Sequence, residues 1–331
     1  MKRLLRWGLG LALAATAGLA GCKGQPAKPE TTSEAKAADV TEETSAPETT
    51  TWAWPLKEER LTELKGMAVQ KRNEVMRGML PAAYEARPAR EPITVDGVLN
   101  EDDWALAQKI RMRDVGHGTT AWYGTTVKVT YDEKNLYVGF ECDDPNVTSA
   151  LTKHDEVLWK EDSVEVMIDA DGDGKGYVEL MVSAANVTHD AAWADFRAGA
   201  DWLTQPTWER FEMDSAVKAY EAEGMVSAVK VSGTLNAPGD TDKGYTVELA
   251  IPWTAIAEVR SFRAAGDKID MTKAPLAAVK VPKAGTTWRM NFLRNNPSAP
   301  LLDEGEQTAW SPTGGSVQSP CSFGVVRFMG N

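Results

Sequence analysis

The chain has 331 residues, 43% of them hydrophobic, with 36 basic against 48 acidic side chains and a formal charge of −12. That acidic balance works against polyanions, because phosphate binding rests on clustered Lys and Arg, and nucleic acid is excluded as a partner. Beyond the N-terminal segment no apolar run approaches the ~18 residues needed to cross a bilayer.

In chain order, Lys2, Arg3 and Arg6 precede an apolar run, LGLALAATAGLAG, too short for an ordinary span. It closes on Leu19-Ala20-Gly21-Cys22, which resembles the lipobox of bacterial lipoproteins. That resemblance implies a signal peptide over residues 1–21 and a lipid on Cys22, which becomes the first residue of the mature chain. Lys23, rather than Asp, points by the same resemblance to the outer membrane of a cell envelope. Loss of residues 1–21 removes three positive charges and no negative ones, taking the formal charge from −12 to −15. Residues 22–54 are rich in Thr, Ala, Glu, Pro and Lys, with Val40 among the few sizeable apolar residues. Such a segment buries too little surface to offset its ordering entropy, and reads as a disordered tether. Over 55–84, Leu56, Leu61, Leu64, Met67, Val69, Val75, Met76 and Leu80 recur at roughly helical spacing. A stalk helix ending near Pro81 is expected there, outside the folded domain.

Residues 85–331 carry short alternating segments separated by turn residues. PITVDGVL has an Asp96-Gly97 turn, and TVKVTYDEKNLYVGFEC reads as two strands. VLWKEDSVEVMIDADGDGKGYVEL reads as a hairpin. MVSAVKVSG, GYTVELAIPW, TTWRMNFLR and SFGVVRF follow. Helical pattern is confined to EDDWALAQK and the turn after Ile251-Pro252-Trp253. The expected fold is all-β: an antiparallel β-sandwich, jelly-roll-like and immunoglobulin-like in appearance, with one short N-terminal helix outside it. Cys142 and Cys321 lie at strand edges and form either a disulfide, which export permits, or two separate thiols.

Strand parity sorts the hairpin. Val164, Val166 and Ile168 share one face, as do Val178, Leu180 and Val182, and these are the core positions. Glu165 and Met167, with Tyr177, Glu179 and Met181, take the other face, and Trp159 has the parity of Glu165. The connecting turn places Asp169, Asp171 and Asp173 as in the first half of a Ca²⁺-binding loop. Leu180 stands where that loop needs its final Glu, and an Asp- and Gly-rich turn also serves as a plain connection.

Four ordered pieces resemble the carbohydrate-binding family 9 modules, a β-sandwich family known from bacterial xylanases. They are ITVDGVLNEDDWALA, VKVTYDEKNLYVGFECDDPN, WKEDSVEVMIDADGDGKGYVEL, and GYTVELAIPW with WRMNFLRNN and the FGVVRF ending. The resemblance implies a non-catalytic module holding a xylan- or cellulose-type glycan end between two tryptophans. Trp159 matches the first clamp residue, Glu165 a carboxylate that accepts from sugar hydroxyls, Trp310 the second clamp and Gln307 an amide beside it. Glu179, on the same face, joins the ligand set. A pyranose suits such a site, with an apolar face to stack on indole and hydroxyls that need charged or amide partners. Met181 departs from the pattern, since the xylanase-linked modules carry an arginine there. The family's structural use of Ca²⁺ bears on Asp169, Asp171 and Asp173. Expected partners are a saccharide, the membrane through Cys22, and glycan-degrading proteins acting in carbohydrate catabolism.

Two other readings use the same residues. Glu165 and Glu179 could serve as the acid and base of a glycoside hydrolase, which needs carboxyls ~5–9 Å apart. Met167, Met181 and Met290 could ligate haem, as in sandwich domains of periplasmic redox enzymes, although methionine more often fills cores. Trp122, Trp193, Trp202 and Trp208 either rim a groove or pack inside. Trp104, Trp253 and Trp288 read as core.

Overall fold

A computed structural model describes residues 82–116, 118–193, 220–237, 239–259, 276–297, 299, 305–313, 317–318 and 320–330. The expected signal peptide, Cys22, the tether and the helix over 55–80 lie outside the described residues, as do Trp202 and Trp208.

Among the described residues the elements are strands with one short helix. In chain order they are β1 (Ala83–Pro88), α1 (Asp102–Leu106), β2 (Ile110–Arg111), β3 (Arg113–Asp114), β4 (Thr125–Tyr131) and β5 (Asn135–Asp143). A 3₁₀ turn (Leu158–Lys160) leads into β6 (Ser163–Asp169), followed by β7 (Tyr177–Ser183) and β8 (Thr188–Trp193). Then come β9 (Val226–Ser232), β10 (Gly244–Pro252), β11 (Ala257–Val259), β12 (Leu276–Ala278), β13 (Thr287–Asn296), β14 (Glu306–Ala309) and β15 (Gly324–Phe328). A second 3₁₀ turn spans Pro320–Ser322.

The main strands hydrogen-bond in one path, β8-β7-β6-β13-β15-β1-β4-β5-β10-β9, while β11 and β12 pair separately. β1 joins the two halves of that path, running parallel to both β15 and β4. The expectation of a wholly antiparallel sandwich is corrected at this strand. A hairpin turn enforces antiparallel pairing, but β1 reaches each partner through a long stretch of chain, so no tight turn dictates its direction.

The halves fold over one another around the main core. Val164, Val166, Ile168, Val178, Leu180 and Val182 meet Val127, Val129, Val138, Phe140, Val247 and Leu249. Phe140 and Phe292 touch edge to face, 6.3 Å between centroids. Each such side chain contributes ~1.5–3 kcal/mol on burial. Trp253, Trp288 and Phe328 pack mutually at one end, with centroids 5.0–6.1 Å apart.

A single buried carboxylate links two of the sequence pieces. Glu248 on β10 accepts from the Asp96 and Gly97 amides and from Trp104 Nε1. The Asp96-Gly97 turn and α1, which carries Trp104, are thereby fixed to the sheet. Cys142 is a free, buried thiol, so of the two alternatives the bond to Cys321 is not formed. Its side chain points from β5 into the main core.

Candidate functional site

Pairing register arranges the second face of β6, β7, β8 and β13 as a grid. One row runs Ala309, Leu293, Glu165, Met181 and His189. Below it run Asn291, Met167, Glu179 and Ala191, and above it Gln307, Asn295, Ser163 and Ser183. The parity expected from sequence therefore holds: Glu165 and Glu179 point away from the main core.

That face is not open strand surface. Met167, Tyr177, Trp193, Leu293, Ala309 and Phe323 make a second apolar cluster, with Val115, Ala191 and Val317 packed on it. Glu165 and Glu179 are 3% and 5% exposed. Buried carboxyls must be hydrogen-bonded, and both are. Asn295 Nδ2 donates to Glu165 Oε1 at 2.6 Å, and Gln307 Nε2 donates to Asn295 Oδ1 at 2.8 Å. Trp193 Nε1 donates to Glu179 Oε2 at 2.9 Å, and Gln318 Nε2 to the same oxygen at 3.3 Å. Burial pushes both carboxyls above the ordinary carboxylate range, and the Glu179 charge pushes Glu165 further.

The structure thus brings Glu165 and Gln307 into one chain of hydrogen bonds and leaves Glu179 one row away on its own partners. Sequence reasoning passed over Asn295, the residue that connects the first two. Its parity with Leu293 on β13 was the available signal, but RNN read as a strand end. Gln318, far along the chain, offered no pattern. Met181, in the place of the family's arginine, is wholly buried between Glu165 and His189.

Trp159 sits half-buried on the 3₁₀ turn ahead of β6. Ser163 Oγ ties that turn down by donating to the Leu158 carbonyl. The Trp159 ring meets His189 edge to face, with centroids 6.2 Å apart, which places it at the rim of the grid's middle row. Trp310 is elsewhere. Gln307 and Ala309 face the grid, so alternation turns Thr308 and Trp310 inward. The Trp310 ring packs in the main core, 5.5 Å from Phe292 and 6.4 Å from Tyr84 between centroids. The expected clamp of Trp159 and Trp310 is corrected on this ground: the two indoles lie on opposite sides of one sheet. Of the other tryptophans, Trp122 is exposed, Trp193 is buried in the second cluster, and Trp104, Trp253 and Trp288 are buried as expected.

The turn after β6 is closed by its own carboxylates. Asp169 accepts from the Gly172 and Gly174 amides, Asp171 from Asp173, and Asp173 from Lys175. One oxygen from each of Asp169, Asp171 and Asp173 lies within 4.8 Å of the others. Burial and the two neighbouring carboxylates push Asp169 well above the usual range.

Two strand halves folded over a shared core, with one helical turn among the described residues and a polar network sunk in a secondary face, make a nearly all-β sandwich. The chain belongs to the carbohydrate family 9 binding domain-like family, whose profile matches residues 95–331. Over 157 residues it is 35% identical to endo-1,4-beta-xylanase A of Thermotoga neapolitana, spanning 47% of this chain and 14% of that enzyme. The chain therefore corresponds to a small part of the xylanase. Among solved structures it is similar to a family 9 module from Caldicellulosiruptor kristjanssonii in complex with cellotriose. That likeness has 17% identity and a TM-score of 0.47 over 75% of this chain and 94% of the other. The glucose complex of a family 9 module from the same organism gives 16% identity and a TM-score of 0.45, over 75% and 96%.

Proposed function

We propose that this chain is a lipid-anchored, exported carbohydrate-binding protein. It holds a saccharide end at the Trp159 rim, with the partly exposed Gln307 amide as a hydrogen-bond partner that Asn295 and the buried Glu165 hold in place, and it acts by binding rather than by catalysis. Family membership supports the saccharide as ligand class. The observation that carries the placement is the chain of hydrogen bonds from Gln307 through Asn295 to Glu165. It holds amide and carboxyl groups in fixed positions in the row beside a half-exposed indole, the pairing that a pyranose needs. Glu179 belongs to the supporting network. The xylanase relative makes xylan- and cellulose-type oligosaccharides the first ligands to try. The lipid anchor at Cys22 and the outer-membrane location rest on the leader sequence alone.

Calorimetric titration of the detergent-solubilised full chain with cello- and xylo-oligosaccharides tests this reading. Trp159→Ala and Glu165→Ala are each expected to weaken binding at least about tenfold, the loss of a stacking surface or of the anchor that positions Asn295 and Gln307. Wild-type binding unaltered by Trp159→Ala would overturn the placement. Absence of binding to any oligosaccharide would overturn the function.

The Asp169, Asp171 and Asp173 turn belongs to the same reading as a structural Ca²⁺ site. Three carboxylates converge there, and the two amides that bond the buried Asp169 leave the charges of Asp171 and Asp173 beside it unbalanced, which fits a hard cation with oxygen ligands. Chelation is expected to lower the melting temperature of wild type but not of Asp171→Asn. Equal melting of wild type with and without chelator would remove the site.

A further inference from the structure

A second cluster lies apart from the carboxyl network. His154 stands in the segment before β6, Asp190 on β8 and Glu221 in the segment entering β9. One ligand atom of each lies within 4.8 Å of the other two. His154 Nε2 is 3.4 Å from Asp155 Oδ1, 3.6 Å from Asp190 Oδ2 and 3.7 Å from Glu221 Oε2. Its other nitrogen, Nδ1, is 2.9 Å from the Thr188 carbonyl oxygen, which can only accept. Nδ1 therefore carries a proton, and in the neutral ring Nε2 turns its lone pair toward the carboxylates. A backbone carbonyl on the far N–H is the way metal-ligating imidazoles are oriented.

Asp190 supplies an independent observation. Its side chain is 5% exposed, and its Oδ1 is buried with no hydrogen-bond partner among the described residues. A buried oxygen left unmatched is destabilising, so its retention calls for a partner. Among the described residues, the cationic groups within ion-pair distance of Asp155, Asp190 and Glu221 are the imidazoles of His154 and His189. A divalent ion held by His154 Nε2, Asp190 and Glu221 would balance the charge of the converging carboxylates.

We propose that His154, Asp190 and Glu221, with Asp155 adjacent, form a binding site for a divalent metal ion of the borderline class, Zn²⁺ being the type. Imidazole with two or three carboxylates suits Zn²⁺, whereas Ca²⁺ takes oxygen ligands alone. The ligands come from three separate segments, so the ion cross-links the turn before β6, β8 and the entry to β9. The site also adjoins the Trp159 rim, because His189 Nδ1 is 3.3 Å from Asp155 Oδ1 and its ring carries Trp159. It stands whether or not the saccharide reading does.

The test is titration of the chelator-stripped full chain with Zn²⁺ against a chromophoric competitor, with no saccharide present. One equivalent is expected to bind, and His154→Gln and Asp190→Asn are each expected to weaken it at least about tenfold, as loss of one ligand should. Asp169→Asn should leave Zn²⁺ binding unchanged, and a large excess of Ca²⁺ should not displace the ion. Co²⁺ should give a visible ligand-field spectrum that His154→Gln abolishes. No Zn²⁺ binding, binding indifferent to His154→Gln, or displacement by Ca²⁺ would each overturn the site. Should Asp190→Asn unfold, His154→Gln and Glu221→Gln decide the matter, since both positions are exposed.

Discussion

Glu165 and Glu179 sit on a covered face, and that fixes the sign of their effect on stability. Burial raises both, and Glu165 is raised further by Glu179. The folded chain therefore holds protons that the unfolded chain has already released, over the window from the ordinary carboxylate range to neutrality and above. More protons bound in the folded state means that stability falls as pH rises through that window. Urea midpoints are expected to fall between about pH 5 and about pH 8, and to fall less in Glu165→Gln. Equal slopes in the two proteins would rule Glu165 out as a source. Arg294 presents the opposite case, a buried charge that is paired. It is 1% exposed and donates to Asp144 Oδ2 at 2.7 Å, to the Asp143 carbonyl and to Thr125 Oγ1. Arg294→Met would strand the Asp144 carboxylate inside and is expected to cost about 3–5 kcal/mol in a urea melt with unchanged slope. A loss below about 1 kcal/mol would mean that Asp144 finds water or protonates cheaply.

At the scale of elements, the legible parts of the chain are those with a period. The Val and Ile alternation in β6 and the Val and Leu alternation in β7 assign every side chain to its correct face. Alternation says which side a residue takes and not what covers that side. The cover over Glu165 and Glu179 comes from Val115, Val317 and Phe323, distant in sequence, so the face read as open. β1 has the alternation too, with Tyr84 and Ala86 inward, but its Ala, Glu, Arg and Pro are weak strand formers, and it straddles the boundary expected at residues 84 and 85. Trp310 was misplaced because it follows the last residue of a four-residue strand, where one aromatic carries no periodicity. Its burial depends on β15: a Cβ on Gly324 would lie 2.5 Å from the Trp310 ring and 2.9 Å from the Ala82 carbonyl oxygen. Gly324→Ala is therefore expected to lower stability by about 1–3 kcal/mol through overpacking where β1 meets β15. A neutral outcome in thermal melts would mean that the Trp310 ring can leave the core.

For the molecule as a whole, closure of the sandwich depends on β1, which pairs with both β15 and β4, and no covalent link among the described residues holds the halves together. A Cys142–Cys321 pair is one of the two alternatives the sequence leaves open, because both sit at strand edges in a chain whose leader implies export. What edge position does not reveal is side-chain direction, and Cys142 points into the core, where burial pushes its thiol up to about 11. A thiol so placed has almost no thiolate at neutral pH and no path to a reagent while the sandwich is closed. Its modification should follow opening of the β5–β10 region, the best-paired part of the sheet, and so should track global unfolding. In a Cys321→Ser background, labelling of Cys142 by a maleimide is expected to be negligible in buffer and to rise along the urea unfolding curve. The melting temperature of the unaltered chain should not change when reductant is added. Rapid labelling in buffer would place Cys142 in a locally opening segment, and a melting temperature lowered by reductant would restore the disulfide.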